Sequence, residues 1–477
     1  MDTEGFRQWS HRAADWAADY RAGLRERPVR SPLRPGEIAA RIAQVPPEQG
    51  EPFERIFADF EAIVPPGMTH WQHPRFFAYF PSNAAPPAVI AEQLAAAMSA
   101  QGMLWQTSPA MTELEQCMVD WLRQAVGLPA DFSGVLQDTA STTTLCAVLT
   151  MRETALAWSG NRDGLVAHPQ VRIYTSTHAH SSVEKACWIA GIGADNLVRI
   201  PTRAGDPRMG IDPQALEAAI ATDRRAGLLP AGIVGCVGAT SVGASDPLRE
   251  LGEIARRQDL YLHVDAAWAG SAMICPEFRE LWEGIETADS IVFNPHKWLG
   301  VPMECSAHFV RDPATLVRTL AIQPEYLKTH GRDGIVNFSE WSVQLGRRFR
   351  ALKLWFLIRA YGLDGLRARI RDHVAWAAEL ADTIAAEPDF ELASAPVLSL
   401  FSFRYRPPDL SSPEALDALN QQLLDAVNDE GTTYLTTTRL DGRLVIRFQI
   451  GPFDTTREDV DCAWQAVARI ARTLESA

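Results

Sequence analysis

Between residues 171 and 310, short runs rich in Val, Ile and Leu alternate with helical spacing, and this alternation leaves the chain few folds to choose from. Strands are expected at 171–176, 232–240, 260–265, 290–294 and 307–310. Between two of them, residues 247–258 place Leu248, Leu251, Ile254 and Ala255 on one side, as a helix does. Strand, helix and strand at this spacing imply parallel pairing through a right-handed crossover. The expectation is an α/β domain over residues 79–360, with a mostly parallel central sheet flanked by helices. A small α+β domain should follow over 361–477, with strands at 397–405 and 444–449 and a closing helix from Arg457.

Residues 1–78 read as an N-terminal helical segment. Phe6, Trp9, Ala13, Trp16, Ala17, Tyr20 and Leu24 recur every three or four positions, and so aromatic a helix needs something to pack on. A partner subunit is the expected cover. A second helix should begin at Ser108-Pro109, with Leu114, Cys117, Met118, Trp121, Leu122 and Ala125 on its apolar face.

A chain of 477 residues that is 47% hydrophobic can build a large core. Its net charge of −14 argues against nucleic acid or an anionic membrane as the main partner. The acidic start, Met1-Asp2-Thr3-Glu4, lacks the features of a signal peptide. The uncharged stretch 226–245 is broken by Gly and Pro and reads as a buried strand with its turn. Seven scattered cysteines fit free thiols and a cytoplasmic location.

Four segments make poor core and make sense together as chemistry. Asn294-Pro295-His296-Lys297-Trp298 puts a lysine just past a strand end, where a desolvated amine can form a Schiff base with an aldehyde cofactor. His263-Val264-Asp265-Ala266-Ala267 ends a nearly apolar strand on a carboxylate, which needs a positive partner such as a protonated pyridine nitrogen. Capping of the next turn is the plainer role for Asp265. The hydroxyl-rich run 137–144, ahead of a helix expected over 145–158, offers free N–H groups for a phosphate. His178-Ala179-His180-Ser181-Ser182 offers a flat imidazole to stack on a flat ring; a metal is discounted because no third ligand lies at a helpful spacing. All four fall at carboxyl ends of expected strands, where open α/β sheets bind ligands.

These segments, with Thr69-His70-Trp71, the run Phe76-Phe77-Ala78-Tyr79-Phe80-Pro81, Cys275-Pro276-Glu277-Phe278-Arg279 and Leu345-Gly346-Arg347-Arg348-Phe349-Arg350, resemble the group II decarboxylases dependent on pyridoxal 5′-phosphate (PLP), in their aromatic-L-amino-acid branch. The resemblance covers nearly the whole chain. It implies the PLP-dependent transferase-like architecture (fold type I), with Lys297 as the Schiff-base lysine, Asp265 paired with the pyridinium nitrogen and His180 on the ring face. It implies that Ala140, Ser141 and Asn294 hold the phosphate, that Thr240 lies beside the cofactor and that His296 lies beside the substrate. Trp71, Tyr79, Phe80 and Pro81 would form the aromatic wall, with Ser82 near the substrate carboxylate and Arg447 and Gly346 completing the pocket. Glycine at 346 leaves room for a bicyclic ring, which favours tryptophan-like substrates. A homodimer with the active site at the subunit interface is implied as well.

Ser82 is a mild departure, since the family often has threonine there, and a second departure matters more. Residues 326–342 resemble its mobile catalytic loop, where a tyrosine donates the proton to the carbon that loses CO₂, and here that position is Phe338. A phenyl ring cannot donate a proton. Either another donor such as His180 or water substitutes, or the product is an aromatic aldehyde. Transamination or desulfuration, and a binding or scaffold role, are the remaining alternatives. The basic run Arg347, Arg348, Arg350 and Lys353 reads as a helix at the dimer interface rather than a nucleic-acid patch.

Overall fold

Seven strands of the middle chain form one sheet in the order β1-β7-β6-β5-β4-β2-β3. They are β1 (Ser133–Gln137), β2 (Val171–Ser176), β3 (Leu197–Ile200), β4 (Leu229–Cys236), β5 (Tyr261–Asp265), β6 (Ser290–Phe293) and β7 (Ser306–Val310). The computed structural model describes residues 1–322 and 335–475. Neighbours from β3 to β6 pair in parallel, as the alternating pattern requires. β7 runs antiparallel to β6, and β1 antiparallel to β7. The carboxyl ends of β1, β2, β4, β5 and β6 therefore share one edge of the sheet.

β1 and β3 escape a reading of the sequence: β1, Ser-Gly-Val-Leu-Gln, has only two apolar side chains, and β3 is a four-residue strand at the sheet edge. β4 stops at Cys236 rather than 240, since the chain folds back through an isolated bridge from Val237 to Ser245. The helix expected at 145–158 is Ala140–Ala155, so most of the hydroxyl run lies inside its first turns.

The helix Pro109–Val126 is rotated from the expected face: Cys117 and Trp121 are exposed, and Glu115 is buried. The reason is electrostatic. The Glu115 carboxylate meets the guanidinium of Arg347 at 2.6 and 3.1 Å and accepts the Leu136 N–H at 2.8 Å, while Arg347 donates to the Leu136 carbonyl at 2.8 Å. This pair closes the outer side of β1, an edge strand with polar groups otherwise open to pairing.

Contacts divide the chain into two units: residues 82–375 with 396–400, and residues 1–81 with 376–395 and 401–477. The boundaries expected at 79 and 361 are thus drawn differently, because the N-terminal segment shares a core with the C-terminal region. Phe77 stacks on Phe448 at 4.6 Å, and both Arg25 and Arg75 reach the buried Asp459. This second unit holds a four-stranded sheet in the order β10-β11-β9-β8, comprising β8 (Phe390–Val397), β9 (Leu400–Tyr405), β10 (Thr436–Leu440) and β11 (Arg443–Gln449). The first helix, Thr3–Ala22, lays Trp9 on Phe53 and Phe57 and Trp16 on Phe60 of the helix Phe53–Ile63. Its two tryptophans thus meet aromatic partners within the chain, while no residue of this helix is fully buried. The long helix Arg350–Ala386 breaks at Gly362, whose φ of +62° is left-handed backbone that glycine adopts without strain.

Candidate active site

The 82–375 unit gathers its reactive side chains where β2, β4, β5 and β6 end. Asp265 closes β5 between Cys236 of β4 and Val292 of β6, at the middle of the sheet. One carboxylate oxygen accepts the Ala267 N–H at 3.0 Å, which orients the group. Lys297 follows β6 on a wide turn, Pro295–Leu299, closed by the Gly300 N–H on the Pro295 carbonyl at 3.1 Å. Turns of this i to i+5 type are rare and concentrate at functional sites. Gly300, at φ +125°, lets the chain leave it.

Lys297 is partly buried, and burial lowers its amine to about 8 although the Asp265 charge pulls the other way. An amine so displaced is available as a nucleophile near neutral pH. The same two groups act on His180, whose titration is lowered by burial, opposed by Asp265 and reinforced by Lys297. The three side chains therefore share one electrostatic neighbourhood. His180 caps the helix Ser181–Ile189, with Nδ1 accepting the Ser182 N–H at 3.1 Å. His296 is buried, and Nδ1 accepts the Cys305 N–H at 2.9 Å. Burial and then Lys297 lower it to about 3, so it is neutral with its proton on Nε2.

At the carboxyl end of β1, Thr139 caps the helix Ala140–Ala155 by accepting the Thr142 N–H. The N–H groups of Ala140 and Ser141 lie at this helix end, where no intrahelical acceptor exists, and an anion fits there. Asn294 is buried, with Oδ1 lacking a partner among the described residues. Thr240 lies in the turn after β4, half-buried. A helix N-terminus, an orphaned amide, a lowered lysine and an oriented carboxylate are the donor set that a phosphorylated pyridine aldehyde requires.

The 1–81 and 401–477 unit carries the aromatic residues. Trp71 stacks on Tyr79 at 5.8 Å and lies 4.5 Å from Phe76, and Tyr79 meets Tyr434 edge-on at 6.1 Å. Tyr79 has φ +47°, a conformation a bulky side chain rarely adopts, and stays substantially exposed. Arg447 sits over the Phe80 ring at 5.7 Å and donates to Thr436 Oγ1 at 3.2 Å; burial lowers it to about 10. Pro81 is buried at the end of this unit, and Ser82 begins the other, half-buried. Sequence reasoning missed Tyr434, a lone aromatic among threonines that gives no periodic signal.

Two expected residues are packed among groups other than Lys297, Asp265 and His180. Gly346 lines a cleft of 510 Å³ with Glu92, Gln101, Arg347, Arg348 and Phe349, where a Cβ on the glycine would come within 3.1 Å of the Gln101 amide. Phe338 is buried, edge-on to Trp341 at 5.8 Å and 5.0 Å from the Arg347 guanidinium. Residues 326–334 of the expected catalytic loop lie outside the described residues. The basic run is paired internally, Arg347 with Glu115, Arg348 and Lys353 with Glu92, and Arg350 with Glu304.

Residues 35–406 match the pyridoxal-dependent decarboxylase conserved domain. The chain is 39% identical over 473 residues to tryptophan decarboxylase 2 of Oryza sativa subsp. japonica, covering 98% of this chain and 94% of that protein. It is 37% identical over 482 residues to phenylacetaldehyde synthase of Arabidopsis thaliana, covering 99% and 97%. A crystal structure of Oryza sativa TDC with PLP and tryptamine superposes with a TM-score of 0.96 at 35% identity, over 99% of both chains.

Proposed function

Since this chain belongs to the pyridoxal-dependent decarboxylase family, a group of PLP-dependent carboxy-lyases, we propose that it removes the α-carboxylate of an aromatic L-amino acid, tryptophan-like ones favoured, with the cofactor on Lys297. The grouping of Lys297, Asp265 and His180 at the carboxyl edge of the sheet carries this reading. When bound, PLP supplies an electron sink for the pair released with CO₂.

The protein's part is placement and charge. Asp265 keeps the proton on the pyridine nitrogen, and His180 covers one face of the ring. Ala140, Ser141 and Asn294 hold the phosphate, with Thr240 alongside. Neutral His296 presents Nε2–H to the substrate. Trp71, Tyr79, Phe80 and Pro81 receive the aromatic ring, while Ser82 and Arg447 meet its carboxylate and polar end. Absence of a side chain at Gly346 favours a bicyclic ring, worth about 1–3 kcal/mol of discrimination. Because Gly346 and Phe338 are packed among groups other than Lys297, Asp265 and His180, we assign them to the site of a second copy, in a homodimer. The cysteines lack disulfide partners, which supports the cytoplasm as its compartment.

A second reading rests on Phe338. Without a tyrosine to protonate the carbon that has lost CO₂, that carbon is open to O₂; one O₂ and one water are then consumed, and aldehyde, CO₂, ammonia and hydrogen peroxide released. The similarity to a phenylacetaldehyde synthase keeps this outcome in view. Incubating the protein and PLP with tryptophan, tyrosine, phenylalanine and dihydroxyphenylalanine, while measuring amine, aldehyde and peroxide, decides. Amine without oxygen uptake refutes aldehyde synthesis, and neither product from any of the four refutes the aromatic substrate class.

A further inference from the structure

Past the Pro295 carbonyl, which closes the wide turn that carries Lys297, the carbonyls of residues 296–300 are met by donors from outside the turn. The Asn83 N–H donates to the His296 carbonyl at 3.1 Å, and the Asn83 side-chain Nδ2 donates to the Lys297 carbonyl at 2.7 Å. Arg369 Nη2 donates to the Trp298 and Leu299 carbonyls at 2.5 and 3.0 Å. The Ala85 N–H donates to the Gly300 carbonyl at 2.8 Å. Of these donors, Asn83 alone spans two successive carbonyls with its own backbone and side chain, and it is 1% exposed.

We propose that Asn83 is a positioning residue for Lys297, setting where the amine points relative to Asp265; this rests on the reading of Lys297 as the cofactor lysine. Its side-chain amide grips the main chain of the same residue whose amine does the chemistry. With that donor removed, the Lys297 carbonyl is left buried without this hydrogen bond, and the turn relaxes toward a tighter form that re-aims the side chain. Asn83 also follows Ser82, so one short segment fixes both the cofactor lysine and the residue assigned to the substrate carboxylate. Asn83 does not touch the reacting atoms in this scheme. Its effect is exerted through the turn.

The test compares full-length Asn83→Ala and the isosteric Asn83→Asp with the parent protein. Removing the donor should lower kcat by about 10- to 100-fold, the size of effect a displacement near 1 Å produces. KM should change by less than roughly twofold, because substrate contacts are kept. The apoprotein variants should capture added PLP more slowly, exchange amide hydrogens faster in the peptide spanning 294–300, and titrate the absorbance of the lysine-bound cofactor at a shifted pH. Their thermal midpoints without cofactor should fall only by the modest amount that one lost buried hydrogen bond costs, leaving the protein folded at assay temperature. Unchanged kcat, capture rate and titration in both variants overturn the inference alone. Activity lost only in step with thermal stability, at an unshifted titration, also overturns it. Borohydride reduction and peptide mapping of the parent separates the two levels: cofactor found on another lysine brings down the functional reading and this inference together.

Discussion

In the proposed mechanism the chemistry turns on Lys297, and its environment makes a pH prediction. Burial favours the uncharged amine, so at pH 7 an amine near 8 is neutral about 300 times more often than an ordinary lysine. Capture of PLP requires the neutral form; its rate on the apoprotein should rise with pH and level off above about 8. A midpoint at the ordinary lysine value would contradict the burial argument, and Lys297→Ala should abolish turnover altogether. Phe338→Tyr should move any aldehyde product toward amine, read by the ratio of peroxide to amine; an unchanged ratio would remove Phe338 from the control of product. The candidate residues Asp265, Asn294 and Lys297 were legible in sequence because they follow apolar strands whose ends are easy to place. Asn83 was not. An asparagine between a serine and two alanines looks like any loop residue, and its partner carbonyls lie far along the chain.

At the scale of elements, the paired Glu115 and Arg347 explain why a helical face was misread. Periodicity assigns a glutamate to solvent and a tryptophan to the core, yet the buried guanidinium and the open edge of β1 draw Glu115 inward and leave Trp121 outside. Such a reversal is invisible without knowing what the helix packs on. Glu115→Ala should lower stability by about 3–5 kcal/mol, since it strands a buried charge beside an uncapped strand. Urea unfolding measures this, and an unchanged midpoint would mean that the pair does not stabilise the sheet edge. The parallel strands were legible by contrast, since nearly continuous apolar runs between helices permit little else.

For the molecule as a whole, the assignment of Gly346 and Phe338 to the site of a second copy makes self-association a requirement of the proposed site. Sedimentation of the active enzyme should return twice 52.6 kDa, and a fully active monomer would refute the shared site. Domain limits were the least legible feature, because a core shared by Phe77 and Phe448 joins stretches of chain that composition cannot connect. The tethered lysine turn carries one more consequence. Its donors come from both sides of the turn, and Arg369 is the last of them to leave the ribosome. A nascent polypeptide cut short before that arginine lacks a finished seat for the vitamin-derived aldehyde and should stay colourless, so the yellow of the bound chromophore certifies that synthesis has passed that point.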